Sequence, residues 1–259
     1  MFIRDITSRS NPLIVNTSAL LSSKGRKAQG RFLYEGIKLF YEAVDSNTQI
    51  EYIIATESCV KIIDEKLPDT DLKVYVVPDT CFEKVSSEKS PQGIVCVSSS
   101  KRLPDVKSAP CDIPTVILCD IQDAGNLGTI VRTAKALCDM NVVLCGECAD
   151  IYGHKTIRAS MGAVFKQNVY KCECFADAVE YFKSNGKRVF AAALSDDSVS
   201  ITNCDVTDGV VVLGNEGHGL SKEQIALCKP LIIPMHGMES LNVATAATVV
   251  IWEMARGKL

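Results

Sequence analysis

No apolar run in this 259-residue sequence is long enough to cross a membrane, and the opening MFIRDITSRSNP lacks the apolar core of a secretory signal. Internal repeats and low-complexity segments are absent too, so the length is expected to fold as one large or two modest domains. A marked excess of one charge is missing. The formal net charge is −3, and the chain as a whole does not advertise a nucleic-acid partner. Two phosphate-binding signatures are lacking. No glycine-rich loop leads into Gly-Lys-Ser/Thr at Walker spacing, and GNEGHG at 214–219 misses the G-x-G-x-x-G spacing of a dinucleotide fingerprint. The second absence disfavours a Rossmann-type oxidoreductase. Cys145 and Cys148 form a lone C-x-x-C with no second ligand pair nearby, so no metal ion is expected.

Hydrophobic residues make up 47% of the chain, the composition of a globular protein. Cysteine is plentiful at twelve, and Cys96, Cys119 and Cys145 sit in apolar, strand-like runs where the thiol serves as a small hydrophobe. Such a set would risk scrambled disulfides in an oxidising compartment, so a cytoplasmic location is expected. Charge is uneven. Up to position 31 there are Arg4, Arg9, Lys24, Arg26, Lys27 and Arg31 against Asp5 alone, which reads equally as a phosphate footprint or a solvated face.

Periodicity divides the chain. Residues 1–100 read as a small α/β unit: a helical region at 12–29, strands at 32–34, 52–55, 74–77 and 93–97, and helices at 37–44, 58–66 and 79–85. A polar, proline-bearing stretch at 98–110 reads as a linker, with 101–112 as the boundary. Residues 113–259 form a second unit, with short apolar strands at 115–119, 142–144, 189–193, 210–213 and 231–233. Helices at 127–138 and 175–184 lie between them, which predicts a mostly parallel sheet. The last helix, from Asn242, is apolar on nearly every face and must be covered by the rest of the domain, a second subunit, or both.

Three loops of the second unit fall where ligands bind in open parallel sheets, outside the C-terminal strand ends. They are DIQDAGNLGTIVR at 120–132, LGNEGHGLS at 213–221 and IPMHGMESLN at 233–242. Either glycine loop alone signifies only tight turning. Together and in this order they resemble the motifs of the SpoU (TrmH-like) ribose methyltransferases of the SPOUT superfamily. The N-L-G-x-I-x-R-T-A core is matched at 126–134, L-G-x-E-x-x-G-L-S at 213–221 and I-P-M-x-G-x-x-x-S-L-N-V-A at 233–244. A lesser segment, K-x-x-R-x-S-x-G-A, is matched at 155–163. The first unit is similar, less closely, to the family's L30e-like RNA substrate-binding domain through GRK at 25–27 and FLYEG at 32–36. Ala124 stands where many relatives have proline.

The resemblance implies an α/β protein: a trefoil-knotted SPOUT (α/β knot) domain preceded by a smaller L30e-like domain. It implies a homodimer and S-adenosyl-L-methionine held by Leu213, Gly214, Asn215, Gly217, Ile233, Pro234, Met235, Ser240 and Leu241. It implies methyl transfer to a ribose 2′-hydroxyl of ribosomal or transfer RNA, with Asn126, Arg132, Glu216, Ser240 and Asn242 as catalytic residues. Arg132 would act nearest the acceptor, aiding proton removal, holding phosphate or stabilising the alkoxide. Asn126 and Asn242 would position it and the ribose, Glu216 would orient the loop or the arginine, and Ser240 would cap the last helix and touch the cofactor. RNA contacts are expected from Lys24, Arg26, Lys27, Arg31 and Arg158. The competing expectation is a non-catalytic RNA-binding protein that keeps the fold.

Overall fold

The computed structural model describes residues 2–68, 70–237 and 240–256. Chain order begins with β1 (Phe2–Asp5), α1 (Pro12–Ala19), α2 (Ser23–Gln29), β2 (Arg31–Glu35), α3 (Ile37–Asp45), β3 (Ile50–Ala55), α4 (Val60–Lys66), β4 (Lys73–Val76), α5 (Asp79–Phe82) and β5 (Ile94–Ser99). It continues with β6 (Thr115–Cys119), α6 (Ala124–Leu137), β7 (Asn141–Cys145), α7 (His154–Ser160), β8 (Asn168–Cys172), α8 (Phe175–Ser184) and β9 (Val189–Ala192). Last come β10 (Val199–Ser200), β11 (Val210–Leu213), α9 (Lys222–Ala226), β12 (Lys229–Ile232) and α10 (Val243–Ala255). Two compact units result. One comprises Met1–Lys101 with Asp150–Phe165, the other Arg102–Ala149 with Lys166–Leu259.

In the first unit the strand order is β1-β4-β3-β5-β2. β1, β4 and β3 run parallel, and β5 is antiparallel to β3 and β2. Alternation along the strands sends Phe32, Tyr34, Ile53 and Cys96 to one apolar cluster and Leu33, Tyr52, Ile54 and Val97 to another, so both faces are covered. The single helical region expected at 12–29 is two helices. The amides of Leu20 and Leu21 turn back to Thr17 and Ser18, and the Ser22 side chain caps α2 by accepting from the Gly25 amide.

The stretch 155–163, read in the sequence as part of the second half, packs with the first unit. Ile157 is fully buried in the Phe32 cluster. The Tyr152 ring stacks 4.7 Å from Phe32, and Phe165 lies 4.8 Å from Tyr34. These apolar side chains join Leu39, Phe40 and Ile63 in covering that sheet face. The expected continuous run 113–259 is therefore interrupted.

The stretch 98–110 also departs from a linker. Ser98 and Ser99 finish β5, while Val106 and Ala109 are buried in the second unit's core. The Tyr181 hydroxyl donates to the Ala109 carbonyl at 2.8 Å.

The second unit has the strand order β10-β12-β9-β11-β6-β7-β8, and each pairing is parallel, as short apolar strands between helices predict. Ile117, Val143, Val210 and Val212 pack with Val179 and Phe182 of α8. α10 lies against α6 and β11. It buries Val243, Ala247, Val250, Ile251 and Met254, yet Trp252 is 51% exposed and Thr245 and Thr248 face solvent. Within one chain the helix is buried along one face, not all round.

Candidate active site

Because β6, β11 and β12 run parallel, their C-terminal ends open on one edge of the sheet. Each of the three motif loops is anchored locally. After β6, Asp123 caps α6, its Oδ1 accepting from the Asn126 amide at 2.7 Å, and Leu127, Ile130 and Val131 bury the helix. After β11 the chain doubles back at once, with Asn215 and Gly219 exchanging backbone hydrogen bonds of 3.2 and 3.0 Å. A Cβ on Gly214 would lie 2.5 Å from the Gly219 carbonyl carbon, so only glycine fits there. After β12, Asn242 caps α10, its Oδ1 accepting from Ala244 at 2.9 Å and Thr245 at 3.3 Å. The cap is therefore Asn242 and not Ser240. Positions 238 and 239 of the third motif lie outside the described residues.

The loops are joined by one bonded chain. Glu216 Oε1 accepts from the Asp123 amide at 3.2 Å and from Asn126 Nδ2 at 3.1 Å, and its Oε2 accepts from the Gln122 amide at 3.3 Å. Asn126 Oδ1 in turn accepts from Asn242 Nδ2 at 3.1 Å. Burial by itself raises the Glu216 pKa. The Asn126 side chain and backbone amides outweigh it and hold the carboxyl below its ordinary value. The carboxylate also sits at the N-terminus of α6, where the helix dipole favours negative charge.

Beside this chain lies a cavity of about 470 Å³. Its walls include Leu213, Gly214, Asn215, Gly217, Ile233, Met235, Ser240 and Leu241, all named from the sequence, and Glu216 and Asn242 also line it. Pro234, expected among them, is exposed and does not line the cavity. Sequence reasoning missed Ala192 at the end of β9, Ala193 and Leu194 just beyond it, and Ile225 in α9. Leu194, 78% exposed, is an apolar side chain on a loop; position at a strand's C-terminal end was the signal that could have found it. The volume, the apolar walls and the backbone groups at strand ends fit a ligand of nucleoside-plus-amino-acid size such as S-adenosylmethionine.

Arg132 stands apart. It is exposed on α6, its side chain makes no hydrogen bond or ion pair with another described residue, and it does not line the cavity. Six residues separate it from Asn126, which places the two about 120° apart around the helix. Glu216 therefore orients the 122–126 loop, not the arginine.

The basic residues divide as well. Arg26 is only 7% exposed. Its Nη2 lies 2.7 Å from Asp150 and its Nη1 donates to the Leu20 and Leu21 carbonyls, so it serves the fold and is withdrawn from any phosphate. Arg31 pairs with Glu51 at 2.6 Å, and Arg158 pairs with Glu88. Lys24 and Lys27 are exposed on α2. Among the described residues no cluster of His, Cys, Asp or Glu could hold a metal ion, and no helix is long and apolar enough to cross a membrane.

The family model of the SpoU rRNA methylases matches residues 114–252, more than half of the chain. The chain belongs to the SpoU rRNA methylase family. Residues 11–96 match the MRM3-like substrate binding domain. This SpoU-family chain is 29% identical to the 23S rRNA (guanosine(2553)-2′-O)-methyltransferase RlmP of Bacillus subtilis (strain 168), over 97% of this chain and 99% of the relative. It is 28% identical to the mitochondrial rRNA methyltransferase 3A of Danio rerio, over 95% of this chain and 68% of that one. Its fold matches the AdoMet-bound rRNA methyltransferase from Sinorhizobium meliloti with a TM-score of 0.88 at 29% identity, covering 99% of each chain.

Proposed function

We propose that this protein methylates a ribose 2′-hydroxyl of ribosomal RNA with S-adenosylmethionine, acting as a homodimer in the cytoplasm. The observation that carries the reading is the bonded chain Glu216–Asn126–Asn242 at the rim of the cavity beyond β11 and β12. The named full-length relative, a 23S rRNA ribose methyltransferase, favours ribosomal over transfer RNA.

The cofactor, when bound, supplies an electrophilic methyl on a sulfonium. What remains for the protein is to align the acceptor and remove its proton. Leu213, Gly214, Ile233, Met235, Ser240 and Leu241 form the seat. Asn126 is fixed on both sides of its amide, donating to Glu216 and accepting from Asn242, so it presents a defined edge to the ribose. Glu216 is no general base: three donors occupy its oxygens and its pKa is depressed, which weakens proton affinity. Arg132 is poorly suited to be the base, since a guanidinium offers only N–H donors and no acceptor for a proton. Exposed and without a described partner, it is suited to hold an RNA phosphate in two prongs and to stabilise the developing alkoxide.

Lys24 and Lys27 are the exposed cations of the α2 cluster and supply phosphate contacts. The outer face of α10, with Trp252 half exposed and Val249 partly buried beside it, supports self-association. The return of the chain from β12, past β9 and β11, to lay α10 on α6 supports the expected knot. The abundance of cysteine, twelve in the chain, supports a reducing compartment.

Mapping 2′-O-methyl groups in total RNA with and without the gene tests the reading. A methyl lost from large-subunit ribosomal RNA is expected. Loss from transfer RNA would move the substrate, and no loss from any RNA would contradict the assignment.

A further inference from the structure

We infer that Asp120 is the positioning residue that sets the fine register of the Glu216–Asn126–Asn242 chain, an inference that rests on the methyl-transfer reading of that site. Asp120 does not line the cavity, so any part it plays is through other residues. It follows β6 directly with a left-handed backbone, φ +56°, a conformation aspartate tolerates because its short polar side chain bonds locally. From that position it makes three hydrogen bonds to two segments, the end of β7 with the turn after it and the turn after β11. Its amide donates to the Cys145 carbonyl at 3.0 Å, and its Oδ1 accepts from the Glu147 amide at 2.7 Å. Its carbonyl accepts from Asn215 Nδ2 at 2.8 Å.

Asn215 extends this hold. Its Oδ1 accepts from the Gly217 and His218 amides, shaping the turn that carries Glu216. The two catalytic loops are thus joined by two rungs. One is Asp120 to Asn215; the other runs from Gln122, Asp123 and Asn126 to Glu216. The pairing of β6 with β11 sets the coarse register of the loops that follow them. The Asp120 side chain trims it: by accepting from the Glu147 amide it holds the left-handed backbone that turns the Asp120 carbonyl toward Asn215, and so keeps the first rung aligned with the second. The turn after β7 is shaped for the aspartate: Gly146 has φ +70°, and a Cβ there would fall 2.2 Å from Asp120 Oδ1.

The test uses the full chain and two variants. Asp120→Asn keeps an Oδ1 acceptor and tolerance of the left-handed backbone. Asp120→Gly tolerates the left-handed backbone and keeps the carbonyl, but removes the side chain whose bond to the Glu147 amide holds that carbonyl toward Asn215. Three quantities are measured: S-adenosylmethionine affinity by calorimetry, single-turnover transfer to ribosomal RNA from a gene-deleted strain, and hydrogen exchange of the Gln122 and Asp123 amides. Asp120→Gly is expected to slow transfer by about 10- to 100-fold, the cost of a small misplacement, while cofactor affinity changes little. The two amides should exchange faster in the same variant, and Asp120→Asn should recover most of both. Transfer and exchange unchanged in Asp120→Gly overturn the inference, as does a rate loss matched by an equal loss of folded protein or of cofactor affinity. If the wild type methylates no ribose, the functional reading fails, and amide exchange alone still decides the role of Asp120.

Discussion

Replacing Glu216 by alanine removes the carboxylate that ties two of the motif loops together. Three donors lose their acceptor: the amides of Gln122 and Asp123 and Nδ2 of Asn126, at 3.1–3.3 Å. Hydrogen bonds to a charged group contribute about 1.5–3 kcal/mol each, but Glu216 is exposed and water competes, so about 1 kcal/mol apiece is the fitting scale. If the roughly 3 kcal/mol of lost order falls wholly on the reacting geometry, transfer slows by about 100-fold. Glu216→Gln keeps one acceptor oxygen and turns an NH₂ toward the other donor, so a loss of about 10-fold is expected. Single-turnover assays read the rate, and calorimetry should find cofactor affinity changed by less than about threefold. The sign of the pH effect follows from the depressed pKa. The carboxylate's contribution to stability is complete above the ordinary glutamate value of about 4.3 and disappears as the pH falls through the lower folded value. Urea midpoints of wild type and Glu216→Ala should therefore differ by a constant amount at neutral pH and converge in acid. An alanine variant with an intact rate, or one whose cofactor affinity falls as far as its rate, would refute the reasoning.

Arg132→Ala should leave cofactor affinity nearly intact while transfer collapses, and Arg132→Lys should fail almost as badly for want of a planar two-pronged grip; equilibrium binding beside single-turnover kinetics checks both. Arg26→Ala should lower unfolding free energy by about 3 kcal/mol in denaturant titration, because it strands Asp150 and two carbonyls. Lys24→Ala with Lys27→Ala should leave stability alone and flatten the salt dependence of RNA binding, by about 0.7–0.9 in log–log slope for each phosphate no longer neutralised. Trp252→Glu should shift sedimentation toward the monomer, since it places a charge on the exposed face of α10.

The second unit was legible in the sequence where local pattern and burial agree. Runs such as 115–119 and 210–213 are apolar because both faces of a parallel sheet are covered, and the structure has strands there. Edge strands were missed. In β8 only Val169 and Cys172 are buried, and β10 is two residues long, so neither leaves an apolar run to read. The placement of 155–163 was missed because sequence order says nothing of which sheet face Ile157 and Phe165 will cover. At the site, residue types at motif spacing located Asn126, Glu216 and Asn242, which the structure joins. They did not show that Arg26 turns inward to Asp150, since an arginine reads the same whether it meets a phosphate or a carboxylate. Nor did they single out Asp120, whose left-handed backbone is a property of the fold and not of composition.

The most direct test of ribose methylation uses a substrate RNA with a single 2′-deoxy nucleotide at the modified position. That RNA should bind with nearly the affinity of the unmodified one and accept no methyl group, because the proton and oxygen the site is arranged to engage are gone. Methyl transfer to the deoxy substrate would place the methyl on the base and contradict the account.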